Sequence, residues 1–202
     1  MTINFDGKVA IVTGAGGGLG RCHALDLAKR GAKVVVNDLG GSVDGSGGSS
    51  EAADKVVEEI KAAGGEAISN GSSVTDDAGV ANMVQQTMDA YGRIDALVNN
   101  AGVLRDKSFA KMEVGDFSFV VDVHLFGTMK PTKAVWPIMK EQGYGRILVT
   151  SSSSGLYGNF GQANYGAAKL GVVGLINTLK LEGQKHNIHV NALASLKISS
   201  GK

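Results

Sequence analysis

Tyr165 and Lys169 lie four residues apart in a segment, Asn164 to Lys185, where Ala168, Val172, Ile176 and Leu179 recur at helical spacing. On a helix, that spacing puts both side chains on one face. A free phenol ionises near pH 10, so a tyrosinate at neutral pH costs about 4 kcal/mol. A lysine ammonium ~5 Å away returns roughly 3 kcal/mol at an effective dielectric of ~20. A second positive charge nearby would close the gap. The pair therefore reads as a general base or acid for a hydroxyl proton. Ser152 precedes Tyr165 by thirteen residues, within the run Thr150 to Ser154 that closes an apolar stretch. Its hydroxyl could hold a carbonyl or carbinol oxygen. Ser151 and Ser153 are its neighbours, and a slip of one residue would exchange their roles.

A second constellation lies near the start. The apolar run 8–13 leads directly into Thr13-Gly14-Ala15-Gly16-Gly17-Gly18-Leu19-Gly20, and a helical pattern follows. Glycines in such a strand–turn–helix let backbone N–H groups approach a pyrophosphate, and the positive helix terminus favours it. Asp38 closes the second apolar run, about twenty residues beyond the glycines, where a carboxylate can accept from ribose hydroxyls. It would also repel a 2′-phosphate. No Arg or Lys occurs between Thr13 and Gly20, and none immediately follows Asp38. These features favour NAD over NADP. Asn99-Asn100-Ala101-Gly102 ends the fourth run at the same edge and suits a close backbone approach to a cofactor.

The elements that must position these groups follow from pattern. Runs 8–13, 33–38, 95–100, 146–152 and 188–194 are apolar at consecutive positions and rich in β-branched residues. Strands buried on both faces read this way. Glu66 to Ser69 is a weaker candidate. Helical patterns fall between them: Leu19 to Arg30, Glu51 to Ala63, Asp76 to Tyr91, Asp116 to Gln142 despite Pro131 and Pro137, and Asn164 to Lys185. Alternation of this kind predicts an α/β fold with a doubly wound parallel sheet, a Rossmann-type three-layer α/β/α arrangement. It is expected to form one domain over residues 1–194, with an irregular tail at 195–202. The segment Gly40 to Ser50 reads as a flexible surface loop. The alternative is a loop bordering the adenosine end of a cofactor.

Composition narrows the function classes. With 202 residues and a net charge of +1, the chain carries no broad electrostatic footprint for nucleic acid or anionic membrane. No apolar stretch approaches the ~20 residues of a membrane span. One cysteine, Cys22, excludes an internal disulfide and offers no metal cluster; it reads as ordinary helix packing. No metal site is expected. No targeting signal is visible at either end, and the expected compartment is cytoplasmic or peroxisomal.

TGAGGGLG (13–20), NNAG (99–102), Ser152 and YGAAK (165–169), in this order and spacing, resemble the short-chain dehydrogenase/reductase family. The resemblance spans residues 5–194. It implies that Gly14, Gly18, Leu19 and Gly20 border the cofactor phosphates, and that Asn99, Ala101 and Gly102 also contact the cofactor. Tyr165 would be the base or acid, Lys169 would bind the nicotinamide ribose and tune Tyr165, and Ser152 would orient substrate. Ser73-Val74 occupies the place of the family's adenine-contacting Asp-Val pair, with Ser for Asp. His124 stands where many members carry an Asn that holds a relay water, and is either a relay element or a structural histidine.

A narrower likeness lies in VVVNDLGG (34–41), ADKVVEEI (53–60), NNAGVLRDKSFAKM (99–112) and SGLYGNFGQANYGAAKLG (154–171). These are similar to the (3R)-hydroxyacyl-CoA dehydrogenase domain of peroxisomal multifunctional enzymes and to bacterial single-domain relatives. The likeness implies an acyl-CoA substrate oxidised with NAD. After residue 194 the family's Pro-Gly element, covering helices and seventh strand are not found. The chain is therefore expected to be truncated after its sixth strand, leaving that strand an open edge and the usual assembly route in doubt. Helices around 116–142 and 164–185 could still form a dimer interface. Two rivals stand beside this reading: an NADPH-dependent 3-oxoacyl reductase, and a truncated, inactive chain that only binds cofactor or a partner.

Overall fold

The computed structural model describes residues 3–47 and 51–195. Six parallel strands form one sheet: β1 (Val9–Thr13), β2 (Lys33–Asn37), β3 (Glu66–Asn70), β4 (Ala96–Asn99), β5 (Gly145–Ser152) and β6 (Ile188–Ser195), in the order β3-β2-β1-β4-β5-β6. The weak candidate at 66–69 is thus a strand. The sixth strand runs one residue further than expected and is the edge of the sheet among the described residues. The rest of the expected tail, 196–202, lies outside the described residues.

The helices are α1 (Gly18–Lys29), α2 (Glu51–Ala62), α3 (Asp77–Tyr91), α4 (Val114–Val121), α5 (Gly127–Gln142), α6 (Ser153–Tyr157) and α7 (Ala163–Gly183). A π-helical turn, Asp122–Phe126, joins α4 to α5. Strand residues alternate between two cores, as the pleat requires. Ile11, Val35, Leu97, Ile147 and Val190 face α3, α5 and α7 through Met83, Val135, Met139, Val172 and Ile176. Val12, Val34, Val36 and Val98 face α1 and α2 through Ala24, Ala28, Val56 and Ile60. This is the expected three-layer fold.

The register of α1 differs from the sequence reading. Gly20, Ala24 and Ala28 are its buried residues, while Leu19 is half exposed and Cys22 is exposed. Cys22 is therefore not a packing residue. Small side chains let α1 sit close to β1, which sets the glycine turn against the sheet. The order of β1 and β4, side by side at the sheet centre, places Thr13-Gly14 next to Asn99-Asn100. The open crevice of a doubly wound sheet lies beyond the carboxyl ends of these strands.

Candidate active site

A cleft of about 700 Å³ occupies that crevice. At one end it is lined by Gly14, Gly16, Gly17, Gly18, Leu19 and Asp38, in the middle by Ser73, Val74, Asn100, Ala101 and Gly102, and at the other end by His124, Tyr165 and Lys169. Most of the expected cofactor and catalytic residues thus share one cavity.

The glycine turn is built around two close contacts. Gly14 has φ +62, a left-handed conformation that any side chain would strain, and its Cα faces the backbone of Ala101. Gly20 does not line the cleft. Its Cα faces the Gly14 carbonyl, so its part is to let α1 approach the turn. Asn100 clasps both sides: its Nδ2 donates to the carbonyls of Thr13 (3.1 Å) and Gly14 (3.0 Å). Thr13 Oγ1 accepts from the N–H groups of Asn100 and Ala101. Asn99 departs from its expected place. It is buried beneath the cleft, with Nδ2 donating to Thr132 Oγ1 at 3.0 Å. Asn100, the first residue past β4, is the one at the crevice; its position outside the strand was the available signal.

Asp38 accepts from Gly16 N–H (2.8 Å) and Gly40 N–H (2.7 Å), one through each carboxylate oxygen. The adjoining segment 40–47 lines the cleft and is internally bonded: Ser42 N–H donates to the Ser46 carbonyl at 2.8 Å. It reaches across to the far wall. Leu104 N–H donates to the Val43 carbonyl (2.9 Å), Arg105 Nε donates to the Asp44 carbonyl (3.2 Å), and Gly45 rests on the Phe119 ring. Over its described part the segment is a bonded wall of the cleft, not the free loop read from its composition. Residues 48–50 lie outside the described residues.

Ser73 uses its hydroxyl within its own turn, bonding Thr75 Oγ1 (2.9 Å) and accepting from Thr75 N–H (3.2 Å). Val74 packs beside Gly127. Lys130 Nζ donates to the Thr75 carbonyl at 2.6 Å and holds this loop on α5.

At the catalytic end the neighbouring serines Ser151 and Ser152 separate. Ser151 Oγ donates to the Lys169 carbonyl at 2.9 Å and is wholly internal. Ser152 caps α6, accepting from Ser154 N–H, and stands beside the phenol of Tyr165. Lys169 is buried, with Nζ 2.5 Å from the Thr150 carbonyl and 5.5 Å from the centroid of the Tyr165 ring. Burial pulls the Lys169 ammonium down to about 8. Burial also pushes the Tyr165 phenol above its ordinary value, the Ser152 hydroxyl pulls it the other way, and the Asp106 carboxylate adds to the rise. In this chain alone the phenol stays protonated at neutral pH. Lys169 by itself does not make the base.

His124 sits in the π turn with its ring edge-on to Tyr165, centroids 4.9 Å apart. Its Nε2 faces the Val103 carbonyl (2.7 Å) and Val103 N–H (3.1 Å), while its Nδ1 is buried without a protein partner. Burial, with the nearby Lys169 charge, pulls it down to about 3. It is a neutral ring at any working pH. Among the described residues no cluster of metal-ligating side chains occurs, and no helix is long and apolar enough to cross a membrane.

A family model described as short chain dehydrogenase matches residues 8–201. The chain belongs to the short-chain dehydrogenase family. It is 58% identical over 199 residues to peroxisomal multifunctional enzyme A of Dictyostelium discoideum, covering 98% of this chain and 44% of that one. It therefore spans less than half the length of that relative. A solved short chain dehydrogenase from Mycobacterium avium superposes with a TM-score of 0.88 at 44% identity, covering 96% of this chain and 68% of the other. A 7α-hydroxysteroid dehydrogenase, solved with NADH and a 7-oxo bile acid, gives a TM-score of 0.87 at 31% identity, covering 95% of this chain and 71% of the other. For this short-chain dehydrogenase the sequence motifs, the sheet order and the cleft agree.

Proposed function

We propose that this chain is an NAD-dependent dehydrogenase that reversibly oxidises a secondary alcohol, with a (3R)-3-hydroxyacyl-CoA as substrate. The observation that carries the reading is the single cleft joining a phosphate-type glycine turn and Asp38 to Tyr165 and Lys169, with Ser152 beside the phenol though not itself lining the cleft. The residues present fit a dinucleotide. Helix α1 begins at Gly17–Gly18 with no side-chain cap and no acidic residue in its first turn, so its leading N–H groups are free to meet a phosphate. Asp38 is pinned by two N–H groups, and its remaining lone pairs suit ribose hydroxyls. No Arg or Lys beside Asp38 lines the cleft, which supports NAD over NADP. The adjoining hollow is lined by Arg21, paired with Glu59 at 2.6 Å, and by Lys55.

Bound NAD supplies the hydride acceptor and a positive ring at the catalytic end. Ser152 holds the carbinol oxygen. Tyr165 takes the hydroxyl proton as the alcohol is oxidised, and returns it in the reverse direction. Lys169, held by the Thr150 carbonyl, keeps a positive charge near the phenol and lowers the cost of the tyrosinate. The buried Nδ1 of His124 is available to a water and makes His124 a candidate relay element, with its Nε2 committed to Val103. The acyl-CoA substrate and a peroxisomal or cytoplasmic setting are supported by the likeness to the multifunctional enzyme.

The test is NADH formation from NAD and a (3R)-3-hydroxyacyl-CoA, with the (3S) epimer and NADP as controls. Turnover of the 3R epimer with NAD is expected. Turnover with NADP alone would overturn the cofactor assignment, and NADH binding without turnover of either epimer would favour a chain that only binds cofactor.

A further inference from the structure

The segment before Tyr165 grips the segment after Gly102 at three consecutive residues. The Arg105 carbonyl accepts from Asn164 Nδ2 (3.0 Å), the Asp106 carboxylate accepts from Gln162 Nε2 (2.8 Å), and Lys107 N–H donates to the Gly161 carbonyl (2.9 Å). Gln162 is the hub. It is only 5% exposed, and its Oε1 accepts from Ser154 Oγ (2.8 Å) and Asn159 Nδ2 (3.0 Å). A carboxylate can only accept, so the amide nitrogen must face Asp106. Ser154 N–H in turn donates to Ser152 Oγ, which links the network to the hydroxyl beside the phenol.

We propose that Asp106 and Gln162 are a positioning pair for Tyr165: the buried amide fixes the carboxylate beside the first turn of α7, and that fixed negative charge opposes formation of the tyrosinate. This rests on Tyr165 being the proton-transfer group. Every charged or titratable group around the phenol then has a part. Lys169, from α7, favours the tyrosinate. His124, from the π turn, is uncharged at working pH. Asp106 disfavours the tyrosinate; its neighbours Arg105 and Lys107 both reach toward Asp116, which offsets one of their two charges and draws both side chains to its carboxylate. Helix α7 has no acidic residue in its own first turn, so Asp106 supplies the negative charge there from another part of the chain. The pair adds to burial in keeping Tyr165 protonated until a positive cofactor arrives, which suits a group that must act as acid in one direction and base in the other.

Asp106→Asn is the discriminating variant. It removes the charge and keeps an oxygen that can accept from Gln162 Nε2. Two readouts are followed. Tyrosinate absorbance is titrated in the free protein, with Tyr165→Phe subtracted to isolate this residue. The pH profile of alcohol oxidation is measured with NAD. The expected result is tyrosinate formation at lower pH, and an acid-limb rate raised roughly three- to tenfold at fixed pH, the size of one partly screened charge. KM should hold, and Asp106→Glu should restore the wild-type profile. Loss of packing alone would lower kcat without moving the profile. Asp106→Ser is the second charge-free variant should Asp106→Asn fold poorly. An unmoved tyrosinate titration in a folded charge-free variant overturns the proposal. A moved titration in a protein that oxidises no alcohol upholds the pair and removes the dehydrogenase reading instead.

Discussion

Gly20→Ala probes how the dinucleotide end is built. A Cβ at residue 20 would stand 2.1 Å from the Gly14 carbonyl oxygen and 2.5 Å from Asn100 Nδ2. Real Cβ contacts do not fall below 3.0 Å, so the start of α1 must retreat from the turn by about 0.9 Å. Overpacking of this kind costs about 1–3 kcal/mol. The Asn100 bond to Gly14 is strained or lost, worth about 1 kcal/mol more. Alanine's better helix propensity returns just under about 1 kcal/mol. The net expectation is a stability loss of about 2 kcal/mol in urea unfolding. NADH affinity should fall about tenfold or more, because the N–H groups that meet the phosphate move with the helix. Gly17→Ala is the control: Gly17 is extended, and nothing lies within 4 Å of its Cβ position. As the N-cap of α1 it should lose no more than about 1 kcal/mol, from the poorer capping of alanine and without any retreat of the helix. A Gly20→Ala protein with wild-type stability and wild-type NADH binding would refute the account of α1 packing.

Two further outcomes follow from the buried titratable groups His124 and Lys169. His124 is held at about 3 against an unfolded value near 6.5, so the unfolded chain takes up the proton first. Its contribution is complete above the unfolded value and is lost as pH falls toward 3; between pH 7 and 5 the loss is about 2 kcal/mol. His124→Asn should flatten that slope in urea unfolding, and an unchanged slope would place the acid sensitivity elsewhere. Lys169 is held at about 8, so its charged form is penalised below that pH, and the penalty is relieved as pH rises toward its unfolded value. Lys169→Met should raise stability at pH 7 by about 1–2 kcal/mol after allowance for the abandoned Thr150 carbonyl, while abolishing turnover. A less stable Lys169→Met protein would contradict the desolvation argument.

The parts of the fold legible in the sequence are those where burial is symmetric. Strands 9–13 and 33–37 read clearly because every residue from Val9 to Thr13 and from Val34 to Asn37 is buried, leaving unbroken apolar runs. Helix α7 read well because its stripe of Ala168, Val172 and Ile176 is the stripe that packs. Helix α1 misled because the pattern weights Leu19 and Cys22 above Gly20 and Ala24, yet close approach to a sheet selects the smallest side chains. At the site, Tyr165, Lys169 and Ser152 were legible from local spacing. Asp38 lines the cleft just past β2, where the end of the apolar run put it, but its bonds to Gly16 and Gly40 depend on the turn's geometry. Asn99 and Asn100 are indistinguishable by type, and only the end of β4 separates them. The bonds from segment 40–47 to Leu104 and Arg105, and from Asp106 to Gln162, join residues dozens of positions apart that carry no shared period.

The π turn at 122–126 acts as a phase corrector. Eight residues of regular α-helix rotate about 800°, which would leave Thr128 about 80° around the axis from Val120. Wider winding through the turn takes up much of that drift, and Val120, His124 and Thr128 are all buried. One continuous helical stretch can thereby serve two surfaces: α4 against α7 beside the phenol, and α5 against the sheet through Val135 and Met139. Deleting one residue here would swing either the imidazole or the core stripe away from its partner.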